Sequence, residues 1–216
     1  MPRIALIAGA SGLVGNQCRR LLLESPAYER IIILARRGLD VSHPKLDQRI
    51  AEVATWPTLA LESRIDDVFC ALGTTISSAG SKMAFRAVDF GAVLALAKLG
   101  RSHGATGFYV VSAHGANARS RFFYWRVKGE MEQALIGVAY PSLGIFRPAL
   151  ISGNRRELRS IGESLAVTAA TMLAPLMKGP LLKYRPNSAA SIASAMVTAA
   201  LNPPKGRRLY DSVTIR

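Results

Sequence analysis

Arg3-Ile4-Ala5-Leu6-Ile7-Ala8 runs directly into Gly9-Ala10-Ser11-Gly12-Leu13-Val14-Gly15, and this junction decides the fold. A short apolar strand feeds a glycine-rich turn, and the turn feeds a helix that continues through Leu21-Leu22-Leu23. Gly9 allows the tight turn. Gly12 has no side chain to block a pyrophosphate approaching the backbone, and Gly15 lets the helix pack closely on the strand. The helix N-terminus then directs unpaired N–H groups and a partial positive charge at phosphates. The candidate cofactor residues of this turn are Gly9, Ser11, Gly12, Leu13, Val14 and Gly15.

Outward from that turn, strands and helices alternate. Ile31–Ala35 reads as a second buried strand, Arg49–Val53 as a third, and Asp67–Leu72 as a fourth. Phe108–Ser112 and Ser142–Arg147 read as the fifth and sixth. Helical patterns lie between them, most clearly at Met83–Leu99 and Arg121–Ile136. Continuous apolar strands separated by helices indicate a parallel sheet covered on both faces. The fold class is α/β, a Rossmann-like doubly wound parallel sheet with a small C-terminal lobe. Residues 1–216 read as one domain: a core over 1–150, then a substrate-side lobe and return elements over 151–216. Ser164–Met177 is apolar but contains Pro175 and spans fourteen residues, where a membrane span needs roughly twenty. It reads as a buried helix, and Ser188–Leu201 as another.

Half of the 216 residues are hydrophobic, enough for a sizeable core. No long apolar leader follows Met1-Pro2-Arg3, and Cys18 and Cys70 fit buried thiols in a reducing compartment. A cytoplasmic location is the expectation. His43, His103 and His114 lie far apart, so no metal site is expected. The formal charge is +14, with a basic cluster at Arg155, Arg156 and Arg159. Seven Lys or Arg lie between Lys178 and Arg216, with Asp211 as the counter-charge. That excess suits RNA or acidic lipid, but no nucleic-acid module is visible and a solvated basic face is the plainer reading.

The chemistry lies where strands end. Arg36 and Arg37 follow the second strand, where doubly wound folds meet the adenosine ribose. An acid there would bind the free 2′-hydroxyl of NAD; guanidinium groups suit the 2′-phosphate of NADP by charge and fork geometry. NADP is therefore expected ahead of NAD. Leu72-Gly73-Thr74 turns at the end of the fourth strand and lets a cofactor lie across the sheet edge. Ser112 ends the fifth strand, and Tyr124 and Lys128 follow at helical i,i+4 spacing on one face. A phenol of pKa about 10 is a poor acid or base at neutral pH. An adjacent ammonium lowers that value, so Tyr124 can exchange a proton with a substrate oxygen. Ser112 would hold and polarise that oxygen, and hydride would pass to or from a nicotinamide.

The glycine turn, Ser112 and Tyr124-x-x-x-Lys128 together resemble the atypical or extended short-chain dehydrogenase/reductases. Leu34-Ala35-Arg36-Arg37, Cys70–Thr75, Val127–Glu130 and Phe146-Arg147-Pro148 resemble the branch holding the human Tat-interacting protein and its bacterial oxidoreductase-like relatives. The resemblance covers residues 4–150. It implies a Rossmann-like fold, NADPH binding, a reductase activity, a role for Lys128 at the cofactor, and Arg147-Pro148 near the nicotinamide end. Two positions depart from the pattern. Asp89 stands where many members carry a catalytic-site asparagine, and Ala54-Thr55-Trp56 where an adenine-contacting aspartate is common. The leading reading is an NADP-dependent oxidoreductase acting on a small carbonyl or alcohol, with epimerase or dehydratase chemistry as a variant. The alternative is a non-catalytic NADPH-binding regulator that contacts a protein partner. A monomer or a homodimer fits either.

Overall fold

The computed structural model describes residues 2–152 and 185–215. Nine strands are present among them: β1 Arg3–Ala8, β2 Tyr28–Ala35, β3 Leu46–Ile50, β4 Asp67–Cys70, β5 Gly107–Val111, β6 Ser142–Arg147, β7 Ile151–Ser152, β8 Asn187–Ser188 and β9 Gly206–Asp211. Seven of them form one sheet in the order β3-β2-β1-β4-β5-β6-β9, with every pairing parallel. β7 and β8 form a separate two-stranded parallel pair. The helices are α1 Leu13–Glu24, α2 Ile76–Ala79, α3 Lys82–Arg86, α4 Val93–Ser102, α5 Phe123–Gly137 and α6 Ala189–Leu201.

The strands alternate between two cores, as a period of two requires. Ala5, Ile7, Ile31 and Ile33 face α1 and α6, meeting Cys18, Leu22, Ile192 and Met196. Leu6, Ala8, Ile32 and Leu34 face the opposite side, with Leu96 and Ala97 of α4 and Met131 and Leu135 of α5. Truncating one such side chain, as in Ile7→Ala, costs about 2–5 kcal/mol through lost burial and the cavity left behind. Both faces are therefore covered, as the Rossmann-like reading requires.

The central strands match the sequence reading closely; the edges do not. The third strand is Leu46–Ile50, earlier than the expected Arg49–Val53. It is an edge strand whose residues are only half-buried, and Asp47 pairs with Arg30 and Arg49, so it carries no apolar run. Val53 instead opens a 3-10 turn, Val53–Thr58, that delivers Trp56 into the core. The expected helix Met83–Leu99 is interrupted by a π turn over Ala87–Ala92. The return elements of the C-terminal part are α6, capped by the Ser188 side chain, and β9 at the far edge of the sheet. The expected helix at 164–177 and the cluster Arg155, Arg156 and Arg159 lie outside the described residues.

Candidate active site

β1 and β4 are neighbours in the sheet, yet the chain leaves them toward opposite faces. β1 leads into α1, and β4 leads through α2 and α3 to α4. Such a switch point opens a cleft beyond the carboxyl ends of the strands. A cavity of about 320 Å³ lies there. Its walls bring together Gly12, Leu13 and Val14 from the glycine turn with Leu72, Gly73 and Thr74 from the end of β4. Ser112, Tyr124, Lys128 and Pro148 complete the set of expected residues in the lining. Parts of the chain remote in sequence thus meet because parallel strands all end on one edge.

Gly9 and Gly15 stand behind the lining. Gly9 has φ +84°, and a Cβ there would lie 2.4 Å from the Ala71 carbonyl oxygen. A Cβ on Gly15 would lie 2.0 Å from the Gly9 carbonyl oxygen. The turn is therefore closed by backbone-on-backbone contact that no side chain can enter. Gly12 caps α1 without a side-chain hydrogen bond, so the first helical N–H groups remain directed at the cavity. Ser11 is exposed beside it. Arg36 and Arg37 are also exposed, just past β2, and do not line the cavity. Arg147 does not line it either.

Tyr124 and Lys128 lie one helical turn apart on α5 and open onto the same space. Tyr124 is held by the buried Phe85 ring of α3, at 5.5 Å between centroids. Lys128 is buried and pairs with Asp89, Nζ to Oδ1 at 2.8 Å. The other Asp89 oxygen accepts the Thr74 N–H at 2.9 Å. Asp89 therefore joins the π turn to the lysine and to the turn after β4. Lys128 does pull the Tyr124 pKa down, as expected, yet the net shift is upward. Burial pushes that pKa up, and the carboxylate of Asp89 opposes the pull of Lys128. Lys128 itself is driven down by burial, but Asp89 and Tyr124 more than reverse this and hold it protonated.

Ser112 is buried, and its hydroxyl donates to Glu132 Oε1 at 2.5 Å. Arg147 donates to the same carboxylate from Nε at 2.9 Å and from Nη2 at 2.5 Å. The hydrogen expected to polarise a substrate oxygen is thus directed at Glu132, while Ser112 still lines the cavity. Glu132 was missed in the sequence. Its one signal is position, four residues beyond Lys128 on the same helix face. Trp56, in the segment that departs from the adenine-contacting aspartate of the resembled family, is a core residue whose indole N–H donates to the Ala51 carbonyl at 3.2 Å.

Among the described residues, no group of His, Cys, Asp or Glu is placed to hold a metal ion, and no helix is long and apolar enough to cross a membrane. Cys18 and Cys70 are free and buried.

No protein-family model matches the chain. Curated relatives do. One is protein FMP52-1 of Scheffersomyces stipitis, named mitochondrial, 34% identical over 76% of this chain and 74% of the relative. Another is protein FMP52 of Candida albicans, also named mitochondrial, 32% identical over 97% of this chain and 92% of the relative. These names overturn the cytoplasmic expectation. Solved structures share the fold at low identity. The Bordetella bronchiseptica enzyme WbmH in complex with NAD+ superposes with a TM-score of 0.73 at 14% identity, over 98% of this chain and 76% of that one. A short-chain dehydrogenase/reductase family oxidoreductase from Burkholderia thailandensis gives 0.68 at 16% identity, over 99% and 93%.

Proposed function

The chain belongs to the FMP52 protein family, and we propose that it is a nicotinamide-dinucleotide-dependent oxidoreductase of the short-chain dehydrogenase/reductase type. One observation carries the reading. Tyr124 and Lys128 open onto the same cavity as the glycine turn and the turn after β4, at the switch point of the sheet. The residues suit a dinucleotide. A Cβ-free turn closes against β4, and the uncapped N-terminus of α1 faces the cavity where a pyrophosphate would need N–H donors. Two structural neighbours, MoeE5 and WbmH, are complexes with NAD or NAD+.

In this reading Gly12, Leu13 and Val14 cradle the pyrophosphate, with Gly9 and Gly15 shaping the turn and Ser11 beside it. Leu72, Gly73 and Thr74 lie along the cofactor, and Pro148 borders its nicotinamide end. Arg36 and Arg37, exposed past β2, favour the 2′-phosphate of NADP over the free hydroxyl of NAD. Arg147 acts at one remove, by fixing Glu132 and through it Ser112. When bound, the cofactor supplies or accepts hydride. Tyr124 exchanges a proton with the substrate oxygen, Lys128 holds a positive charge beside it, and the mainly apolar walls at Ala71, Val111, Ala149 and Leu150 keep water away. The resemblance to the Tat-interacting branch, with its reductase-like pattern, supports the same assignment. Turnover of a panel of small aldehydes and ketones with NADPH is the test. Activity that falls at least about a hundredfold in Tyr124→Phe supports general acid–base catalysis by this phenol. Undiminished turnover in that variant rejects it.

A further inference from the structure

Two buried carboxylates bracket the Ser112, Tyr124 and Lys128 set. Asp89 takes Lys128 at 2.8 Å, and Glu132 takes the Ser112 hydroxyl at 2.5 Å. Asp89 sits inside the π turn Ala87–Ala92, and such turns recur where a helix is deformed for function. The deformation leaves Asp89 wholly buried, with one oxygen on Lys128 and the other on the Thr74 N–H. The turn after β4 packs directly on the pair: a Cβ at Gly73 would make ordinary contact, 3.5 Å from Asp89 Oδ1 and 3.9 Å from Lys128 Nζ.

The electrostatic consequence is specific. The charged groups facing Tyr124 are Lys128, on its own helix, and Asp89, on the π turn. Phe85 of α3 and the Gly73-Thr74 turn bring no charge. Lys128 also faces the buried Cys70 thiol, which burial holds neutral. An ammonium alone would draw the phenol toward phenolate; an ammonium already paired with a buried carboxylate leaves the surroundings of the phenol close to neutral. Among the described residues no hydrogen bond engages the Tyr124 hydroxyl. Ser112, by contrast, has given its hydrogen to Glu132.

We propose that Asp89 is a positioning residue that takes up the charge of Lys128 and so keeps Tyr124 protonated, the state a carbonyl-reducing step requires. The proposal rests on the oxidoreductase reading above and adds the protonation state of its acid–base group. The substrate class is an aldehyde or ketone, whose oxygen only accepts hydrogen bonds and so matches a site whose free donor is Tyr124. The reductant is a reduced nicotinamide dinucleotide. Its hydride forms the new C–H bond as the carbonyl π bond breaks, and the Tyr124 proton forms the new O–H bond. The carbonyl is reduced, the dinucleotide is oxidised, and Tyr124 regains its proton from solvent.

The test is direct titration of Tyr124 without cofactor, read by the ultraviolet absorbance of tyrosinate as the difference between a protein and its Tyr124→Phe counterpart. In the natural chain, ionisation is expected above the ordinary phenol value of about 10. In Asp89→Asn, which keeps an acceptor for the Thr74 N–H, the midpoint is expected to fall by at least about one pH unit, a tenfold change. Asp89→Glu is expected to restore it. An unchanged midpoint in Asp89→Asn overturns the proposal and leaves Asp89 as a simple anchor for the turn. Should Asp89→Asn fail to fold, Asp89→Asn/Lys128→Met removes the pair together. Its Tyr124 midpoint is expected within a few tenths of the natural one, because the pair is nearly neutral toward the phenol. A marked rise there means Lys128 acts unopposed, and the proposal fails. NADPH binding is measured separately, so a failed oxidoreductase reading and a failed role for Asp89 give different results.

Discussion

Glu132→Gln is the perturbation whose cost the structure specifies most fully. The carboxylate is buried in α5 and accepts three hydrogen bonds, one from Ser112 and two from Arg147. Glutamine preserves the shape but replaces one acceptor oxygen with an NH₂ group that must face a donor. Removing one partner of a buried ion pair costs about 3–5 kcal/mol. Arg147 is 29% exposed, so water can reach the stranded guanidinium and the lower end, about 3 kcal/mol, applies. For a chain of this size each kcal/mol moves the melting temperature by about 2–4 °C. The expected loss is therefore about 6–12 °C, read by thermal unfolding followed by circular dichroism. Glu132→Leu/Arg147→Met removes both charges and is expected to recover much of that loss, since a buried pair is often replaceable by apolar groups. A fall of less than about 2 °C in Glu132→Gln would mean that the bridge behaves like an exposed pair, worth at most about 1 kcal/mol, and the picture of a locked Ser112 would be wrong.

Gly15→Ala drives a methyl group into the Gly9 carbonyl, and overpacking of this kind costs about 1–3 kcal/mol; melting and NADPH affinity should fall together, whereas Gly38→Ala, which meets no atom within 4 Å, should melt within about 2 °C of the natural chain. Arg36→Ala/Arg37→Ala removes two exposed guanidinium groups; at the low end of about 1.5 kcal/mol for each charge-assisted bond, NADPH binding weakens by about a hundredfold while NADH binding is unchanged by calorimetry. Asp67 is fully buried and burial raises its pKa from 3.8 to about 6, against the pull of Arg3. The folded state therefore keeps a proton that the unfolded chain has lost between these values, so stability falls as pH rises through that window. Relative to Asp67→Asn, denaturant unfolding should show the natural chain losing on the order of 2 kcal/mol from pH 4 to pH 7.

Much of this architecture was legible in the sequence, for a physical reason. β1, β2, β4, β5 and β6 are buried on both faces, and such strands appear as unbroken apolar runs. The glycine turn was legible because its demands are made by backbone on backbone, which glycine alone meets at Gly9 and Gly15. The edge strands obey different rules. β3 carries Asp47, Gln48 and Arg49, and β9 carries Arg207 and Arg208, because each is exposed along one side. Their polar composition conceals the strand.

At the site, helical spacing brought out Tyr124 and Lys128, and the strand-end position brought out Ser112. The two carboxylates that control them were not readable as partners. Asp89 lies 39 residues before Lys128, and Glu132 lies 15 residues before Arg147 and 20 after Ser112. Such pairings depend on how α4 and α5 pack on the sheet, which no local pattern encodes. Asp89 was visible only as a departure from a resemblance. The charge it supplies opposes the pull of Lys128 on Tyr124, while burial sets the net upward direction.

Calorimetric titration of the full chain with NADPH, with NADH in parallel, tests the central claim most directly. A single site of micromolar affinity for NADPH and markedly weaker binding of NADH are expected. Absence of binding to either dinucleotide contradicts that claim, because a glycine turn, a helix N-terminus and a tyrosine–lysine pair around one cavity would then serve no cofactor.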